Sequence, residues 1–130
     1  MSLYLCVFDG DEELDGVEIG SYEDWKAFLQ TITDILENGT SGSRFPLLTR
    51  EVTYDGLWTS FDCAQLEQDL TTIKREFARH PSTSPPQPGS ENGDRSLYTQ
   101  FRDVDGSLLI DRLIDLCKLA DKSEKAILFQ

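Results

Sequence analysis

The chain has 130 residues, which is enough for one domain with a hydrophobic core of its own and leaves little for a second. Hydrophobic residues make up 38% and charged residues 28%, a balance that excludes a disordered chain. With 12 Lys and Arg against 24 Asp and Glu the net charge is −12, which argues against direct binding to nucleic acid or to an anionic membrane, because both need cationic side chains.

The first residues predict two strands. Leu3–Phe8 is apolar at nearly every position and ends at Asp9-Gly10, so we expect a strand that lies inside a sheet and not at its edge. The segment Asp9–Gly20 carries its acidic side chains between glycines and predicts an acidic turn or hairpin, in which Val17 and Ile19 form a short second strand.

A helix follows directly. Ser21 and Asp24 have the spacing of a capping box, and apolar residues recur at helical intervals from Trp25 to Leu36. Asn38-Gly39 then supplies the stop signal. The place of Trp25 in this pattern assigns its side chain to the core.

The middle of the chain predicts a second helix. Leu47–Tyr54 alternates only loosely and is compatible with a strand or a short helical segment, and Asp55-Gly56 forms a turn. Thr59 or Ser60 can cap a helix whose apolar stripe consists of Leu66, Leu70, Ile73 and Phe77. The stripe is narrow, so we expect this helix to lie on a sheet with its opposite side in water.

After the second helix the sequence predicts a break in regular structure. Residues His80–Asp94 contain four of the five prolines and predict a mobile Pro/Ser/Gly-rich surface loop at positions 80–95. Ser96–Arg102 is interpreted as a strand, Asp103–Gly106 as a turn and Ser107–Ala120 as a third helix. Lys125–Phe129 closes the chain as a final strand.

Strands at both ends with helices between them predict an α+β fold. We expect residues 1–130 to form a single domain, with about three helices packed on one face of a small mixed or antiparallel sheet that includes the N- and C-terminal strands.

The negative charge is concentrated near the N-terminus. Residues 1–43 contain ten acids and one base, a net charge of −9, whereas the other 87 residues contain 14 acids and 11 bases, a net charge of −3. Most of these early acids form one acidic segment: Asp9, Asp11, Glu12, Glu13, Asp15, Glu18, Glu23 and Asp24. We expect this segment to bind a partner, the alternative being a merely solvated face. Trp58 is equally compatible with an interface anchor and with a core residue.

The residues offer little for catalysis. The one histidine, His80, stands at the start of the predicted loop, and we interpret it as a solvated side chain. Cys6, Cys63 and Cys117 are odd in number and far apart, which predicts reduced, buried thiols and no zinc site. The sequence contains no P-loop, no Gly-x-Gly-x-x-Gly and no Gly-x-Ser-x-Gly. We therefore expect neither enzymatic activity nor a cofactor.

A calcium loop is the nearest approach to a metal site. Counted from Asp11, the chain places Glu13 and Asp15 at ligand positions 3 and 5 and Gly16 at position 6, but position 12 is Tyr22, where a bidentate Glu is needed. We interpret the segment as solvated and expect no metal.

The sequence also bears on location. No apolar run approaches the ~20 residues of a membrane span, and Met1–Phe8 lacks the basic start of a signal peptide. We expect a cytoplasmic protein.

Between the first two helices lies a recognisable motif. The runs Ile35-Leu36-Glu37-Asn38-Gly39 and Gly42-Ser43-Arg44-Phe45-Pro46-Leu47 resemble the signature of the immunity protein 70 family of bacterial polymorphic toxin systems. The resemblance covers residues 3–78 well and the C-terminal helix and strand more loosely. It implies a small protein that binds a cognate toxin domain and neutralises it, with no reaction of its own.

The motif Gly42, Ser43, Arg44, Phe45 and Pro46 has a structural interpretation. Glycine can leave the helix through backbone angles closed to other residues, Phe45 can fill the core and Pro46 can fix the exit. Arg44 can pair with acids or bind helix-end carbonyls. The alternative is direct contact with the toxin.

The resemblance and the charge together suggest a mechanism. Many toxin domains in such systems are nucleases, whose active sites are basic because they hold phosphates, so an acidic surface can occupy such a cleft and speed association. Two other classes remain open: an acidic adaptor or regulatory module unrelated to toxins, and a small enzyme that uses a carboxylate pair or a metal.

Overall fold

The computed structural model describes residues 2–40, 42–45, 48, 56–80 and 96–129. The strands are β1 (Ser2–Asp9), β2 (Glu12–Ser21), β3 (Leu57–Trp58) and β4 (Ile127–Phe129). The helices bounded within these ranges are α1 (Tyr22–Leu36), α2 (Ser60–Phe77), α3 (Leu97–Gln100) and α4 (Leu109–Ser123). Of the segment Leu47–Tyr54, only Leu48 is described, and it is helical and buried.

The four strands form one sheet in the order β2-β1-β4-β3, and every neighbouring pair is antiparallel. The predicted α+β fold is confirmed, with the sheet antiparallel. The apolar strand β1 lies inside the sheet as predicted, between β2 and the C-terminal strand β4. Pairing with both neighbours places β1 inside the sheet and leaves Leu3, Leu5, Cys6 and Val7 fully buried, which explains why Leu3–Val7 is almost uniformly apolar.

The register separates the two faces of the sheet. Leu5 lies opposite Val17 on β2 and Phe129 on β4, and all three side chains belong to the hydrophobic core. Since side chains alternate along a strand, Leu3 and Val7 point to the same side. The described helices pack on this face, as expected from the sequence.

The core between the sheet and the helices is rich in aromatic side chains. Phe28 on α1 makes edge contacts with Phe77 on α2 and with Phe101, at centroid distances of 6.4 and 5.1 Å. Trp58 on β3 lies 4.8 Å from Phe129 and 6.4 Å from Trp25, between ring centroids. These contacts connect α1 to α2 and, through Trp25 and Trp58, α1 to the β3–β4 end of the sheet.

Helices α1 and α2 begin at the predicted residues because side chains cap them. Ser21 accepts a hydrogen bond from the Asp24 amide and Asp24 accepts one from the Ser21 amide, and Thr59 and Asp62 form the same capping box for α2. Helix α1 ends at Leu36, after which Asn38 and Gly39 adopt positive φ, as the stop signal predicts.

The structure corrects the second strand. The segment predicted as an acidic turn or hairpin with a short second strand is indeed part of a hairpin, but its strand β2 has ten residues and the turn is confined to Gly10-Asp11. Irregular pairing near Leu14 and Ile19 breaks the alternation that identifies strands in a sequence. Acidic residues are tolerated because β2 is an edge strand.

The predicted strand Ser96–Arg102 is wrong. Its central residues form the short helix α3, and Arg102 makes only an isolated bridge to Leu108. The physical reason is a reciprocal cap between Ser96 and Thr99, a local interaction that favours a helical turn over an extended strand. The predicted third helix is confirmed in type, although it begins at Leu109 and reaches Ser123. The predicted loop lies outside the described residues except for His80, which is exposed.

Candidate functional site

The acidic segment is held by the β1–β2 hairpin and by the start of α1. Asp9, Asp11, Glu12 and Glu13 lie at the hairpin end, where Gly10 adopts a φ of +64° in the tight turn. Glu23 and Asp24 lie in the first turn of α1, at the other end of β2. A ten-residue strand is about 30 Å long, so the eight carboxylates form a strip and not one cluster.

Some of these carboxylates are engaged by the chain itself. Asp9 pairs with Lys125 at 3.5 Å and Asp15 with Arg112 at 3.6 Å. Glu13 accepts a hydrogen bond from the Tyr4 hydroxyl. This bond, with partial burial and the negative charge of Glu13, raises the pKa of Tyr4 to about 12.

Half of the eight carboxylates have no partner among the residues that the structure describes. Asp24 is not among them, because it accepts a hydrogen bond in the cap of α1. Within the described part of the chain, the side chains of four acids form no hydrogen bond or ion pair, and all four are exposed: Asp11, Glu12, Glu18 and Glu23. Unpaired, solvated carboxylates can attract a cationic surface without first breaking an internal contact.

The calcium-loop pattern from Asp11 to Gly16 does not produce a cation site. Most of these residues belong to strand β2, where successive side chains point to opposite faces and cannot converge on one ion. Among the described residues, no group of three or more His, Cys, Asp or Glu side chains is arranged to hold a metal. The acids of this segment are therefore surface charges in the structure.

Trp58 is a core residue. Its side chain is 2% exposed and packs between Trp25 and Phe129. An interface anchor must be accessible before the partner arrives, so the structure removes Trp58 from the candidate binding residues. Among the described residues, the large apolar side chains that are exposed are Leu14, Leu57, Phe61 and Val104.

The family motif is organised by a buried carboxylate that the sequence interpretation overlooked. Glu37, the C-cap of α1, is 2% exposed, and its Oε2 accepts hydrogen bonds from the amides of Arg44 and Phe45 at 3.0 and 3.1 Å. Its Oε1 accepts one from the Thr33 hydroxyl at 3.2 Å. Glu37 thus folds the chain after α1 back onto the helix end.

The electrostatics of Glu37 reflect these bonds. Burial by itself raises the pKa of a carboxyl group, but the amides of Arg44, Phe45 and Gly42 and the Thr33 hydroxyl outweigh it and hold the pKa of Glu37 below its ordinary value. The helix dipole disfavours an acid at a helix C-terminus. The sequence does place an acid immediately before the stop signal Asn38-Gly39. That unfavourable position could have indicated that hydrogen-bond donors stabilise the Glu37 carboxylate.

The other motif residues have structural contacts. Gly42 adopts a φ of +83°, a region that favours glycine, and Phe45 is 3% exposed in the core. Arg44 Nη1 donates to the carbonyl of Leu36 at 3.0 Å and pairs with Glu76 on α2 at 3.2 Å. Ser43 donates to the carbonyl of Glu37. Pro46 lies outside the described residues.

A shallow cleft lies at the α1 end of the acidic strip. It has a volume of about 280 Å³ and lies between α1 and the connection from α3 to α4, with Asp24, Arg102 and Asp103 among its lining residues. Asp103 is buried and paired with Arg112 at 3.5 Å. Asp24 caps α1 and Arg102 donates to the Gly106 carbonyl, so the charged side chains named here are engaged by the chain and give the cleft no evident ligand.

The described helices include none long and apolar enough to cross a membrane.

A search of curated proteins finds no match to the chain, and a search of solved structures finds none either. The model of the family described as immunity protein 70 matches residues 3–129, nearly the whole sequence. This match includes the motif held by Glu37 and both chain ends that pair in the sheet. The chain therefore belongs to the immunity protein 70 family.

Proposed function

We propose that this protein binds one cognate bacterial toxin domain and neutralises it by covering its active or substrate-binding surface. Membership of the immunity protein 70 family carries this proposal, since the family implies an immunity protein of a toxin system. The protein acts as an inhibitor by binding and has no reaction of its own. Its place of action is the cytoplasm of the producing cell.

The charge of the strip indicates the kind of toxin. Four exposed carboxylates without internal partners lie on the β1–β2 hairpin, along β2 and on the first turn of α1. A nuclease domain has a basic cleft that holds phosphates, and fixed carboxylates compete for that cleft. A basic toxin domain, with nuclease activity as the specific expectation, is therefore the partner that we propose.

Growth rescue tests the function directly. The gene is co-expressed with a candidate toxin domain, taken from the variable C-terminus of a large secreted protein if the gene immediately upstream encodes one. We expect growth to be restored and a complex to be recovered by size-exclusion chromatography. An adaptor would give no protection, and an enzyme would protect without forming a stable complex. Either result would contradict the proposal.

A second experiment tests the role of the acidic strip. The double substitution Asp11→Asn with Glu12→Gln removes two carboxylates that hold no internal contact. The matched control, Asp115→Asn with Asp121→Asn, removes two exposed acids from α4. We expect the hairpin variant to associate about three- to ten-fold more slowly at low salt, with a weaker salt dependence, and the control to associate like the wild type. Equal rates for both variants would exclude the hairpin end from the interface.

A further inference from the structure

The sheet has a second face on which none of the described helices packs. Cys6 on β1 lies opposite Gly16 and Leu128, on the side away from the core face of Leu5. The alternation of side chains places the following residues on this side, here called the open face: Tyr4, Cys6, Phe8, Glu13, Gly16, Glu18, Leu57 and Leu128. Within the described residues, its apolar members Tyr4, Phe8, Leu57 and Leu128 are absent from the core and from the side chains packed against it.

The open face combines an apolar centre with an acidic border. Tyr4, Phe8 and Leu128 are partly exposed, and Leu57 is 42% exposed. Glu13 and Glu18 on β2 line one side. None of the four strands contains a Lys or Arg residue, so no cation from the strands neutralises these acids. An apolar patch bordered by carboxylates is complementary to an apolar projection bordered by cations.

The surface around Tyr4 is also preorganised. Tyr4 donates to Glu13 and covers Gly16, where an added Cβ would lie 2.1 Å from the Tyr4 hydroxyl oxygen. The absence of a side chain at Gly16 therefore lets the hydroxyl end of the Tyr4 ring lie against the strand. A ring fixed before binding loses little conformational entropy in a complex.

The edge of the sheet is less suitable for a partner than its face. Strand β2 is irregular at two places, and irregular pairing blunts an edge against strand addition. Its carbonyl groups at Gly16 and Glu18 accept hydrogen bonds from the Arg112 side chain and the Val104 amide, at 2.8 and 3.0 Å. A partner strand at this edge would have to displace both bonds.

We propose that the open face is the surface on which the cognate toxin domain docks, through an apolar side chain of the toxin that is surrounded by Lys or Arg residues. This inference rests on the proposed function and names the contact surface for it. A second copy of the chain fits poorly, because pairing two open faces would bring Glu13 and Glu18 of each copy against the acids of the other.

The test compares substitutions on the open face with matched substitutions elsewhere. Leu57→Ser and Glu18→Lys change exposed open-face residues, whereas Val104→Ser and Asp115→Lys change an exposed apolar residue in the α3–α4 connection and an exposed acid on α4. The probe is a catalytically inactive form of the toxin domain used in the growth-rescue experiment. Binding is measured by biolayer interferometry at low and physiological salt, and folding by thermal unfolding.

We expect Leu57→Ser to raise the Kd about ten-fold through faster dissociation, and Glu18→Lys to slow association several-fold at low salt. The controls should stay within about two-fold of the wild type. Wild-type behaviour of both open-face variants, with the wild-type complex intact, would overturn the docking surface but leave the proposed function standing. A large loss of thermal stability in Leu57→Ser would also overturn it, because the face would then be packed by the chain itself. Failure of the wild type to bind the probe or rescue growth would overturn the proposed function as well.

Discussion

Replacement of Glu37 tests whether one buried carboxylate holds the family motif in place. In Glu37→Ala, the amides of Arg44 and Phe45 lose the oxygen that accepts both of them, and Thr33 loses its acceptor as well. A buried donor left unsatisfied costs about 1–3 kcal/mol, so the two amides alone predict a loss of about 3 kcal/mol in the free energy of unfolding. Since native stability is about 5–15 kcal/mol, this loss is easily measured.

Glu37→Gln keeps the size and shape of the side chain and removes its negative charge. Because one oxygen, Oε2, accepts both amides, the Gln carbonyl can take over that position while its amide group donates to the Thr33 hydroxyl. The bonds from the Arg44 and Phe45 amides then lose the strengthening by the negative charge, and we expect a cost of about 1 kcal/mol. The free energy of unfolding should therefore decrease from the wild type to Glu37→Gln and further to Glu37→Ala.

The pH dependence follows from the direction of the pKa shift. The pKa of Glu37 is lower in the folded protein than the ordinary value of 4.5, so the folded state favours the ionised form. The resulting stabilisation is complete above the ordinary pKa and is lost as the pH falls through the lower folded-state pKa. The difference in stability between the wild type and Glu37→Gln should therefore be constant near neutral pH and should shrink below about pH 4.5.

Urea unfolding followed by tryptophan fluorescence measures these differences, because Trp25 and Trp58 are both buried. The matched control is Glu124, which is exposed and is the C-cap of α4, a helix of the same length as α1. Glu124→Ala and Glu124→Gln should each change stability by less than about 0.5 kcal/mol. A Glu37→Ala variant no less stable than Glu124→Ala would refute the assigned role of Glu37.

Three further predictions concern the core, the open face and the thiols. Trp58→Ala should cost about 3–5 kcal/mol in urea unfolding, and Phe61→Ala, which changes an 88% exposed ring, less than about 0.5 kcal/mol; similar costs would contradict the assignment of Trp58 to the core. Gly16→Ala should displace the Tyr4 ring and lower the pKa of Tyr4 from about 12 toward its ordinary value of 10, as measured by spectrophotometric titration with Tyr4→Phe to assign the change. Cys6, Cys63 and Cys117 are free and buried, and burial raises the pKa of the Cys6 thiol, so Ellman's reagent should label all three only on unfolding; fast labelling of the native protein would contradict their burial.

Local signals account for the parts of the fold that the sequence predicts well. The two capping boxes at Ser21 and Thr59 need only residues three positions apart, and the stop at Asn38-Gly39 needs only backbone geometry. The same reasoning fails at Ser96–Arg102, where a four-residue helix is too short to show a helical period. The apolar run of β1 correctly indicates an inner strand, because β1 pairs on both sides and most of its side chains from Leu3 to Val7 are buried.

Some features of the candidate site also follow from the sequence, and others require the tertiary structure. The positions of the acids and the net charge are properties of the sequence, and the proposal of a basic partner rests on them. The sequence also indicates that Arg44 binds either acids or helix-end carbonyls, and in the structure it binds both Glu76 and Leu36. The burial of Trp58 depends on Phe129, which is distant in sequence, so spacing could not decide between core and interface.

The sequence by itself determined the excess of negative charge near the N-terminus, the capped helices and the motif that identifies the family. Each of these depends on composition or on residues a few positions apart. Only the tertiary structure decided which acids are unpaired, which carboxylate holds the motif and which aromatic side chains face away from the core. The reason is that these properties arise where β1 pairs with β2 and β4 and where α1 meets the chain that follows it, so they require contacts between residues that the sequence separates.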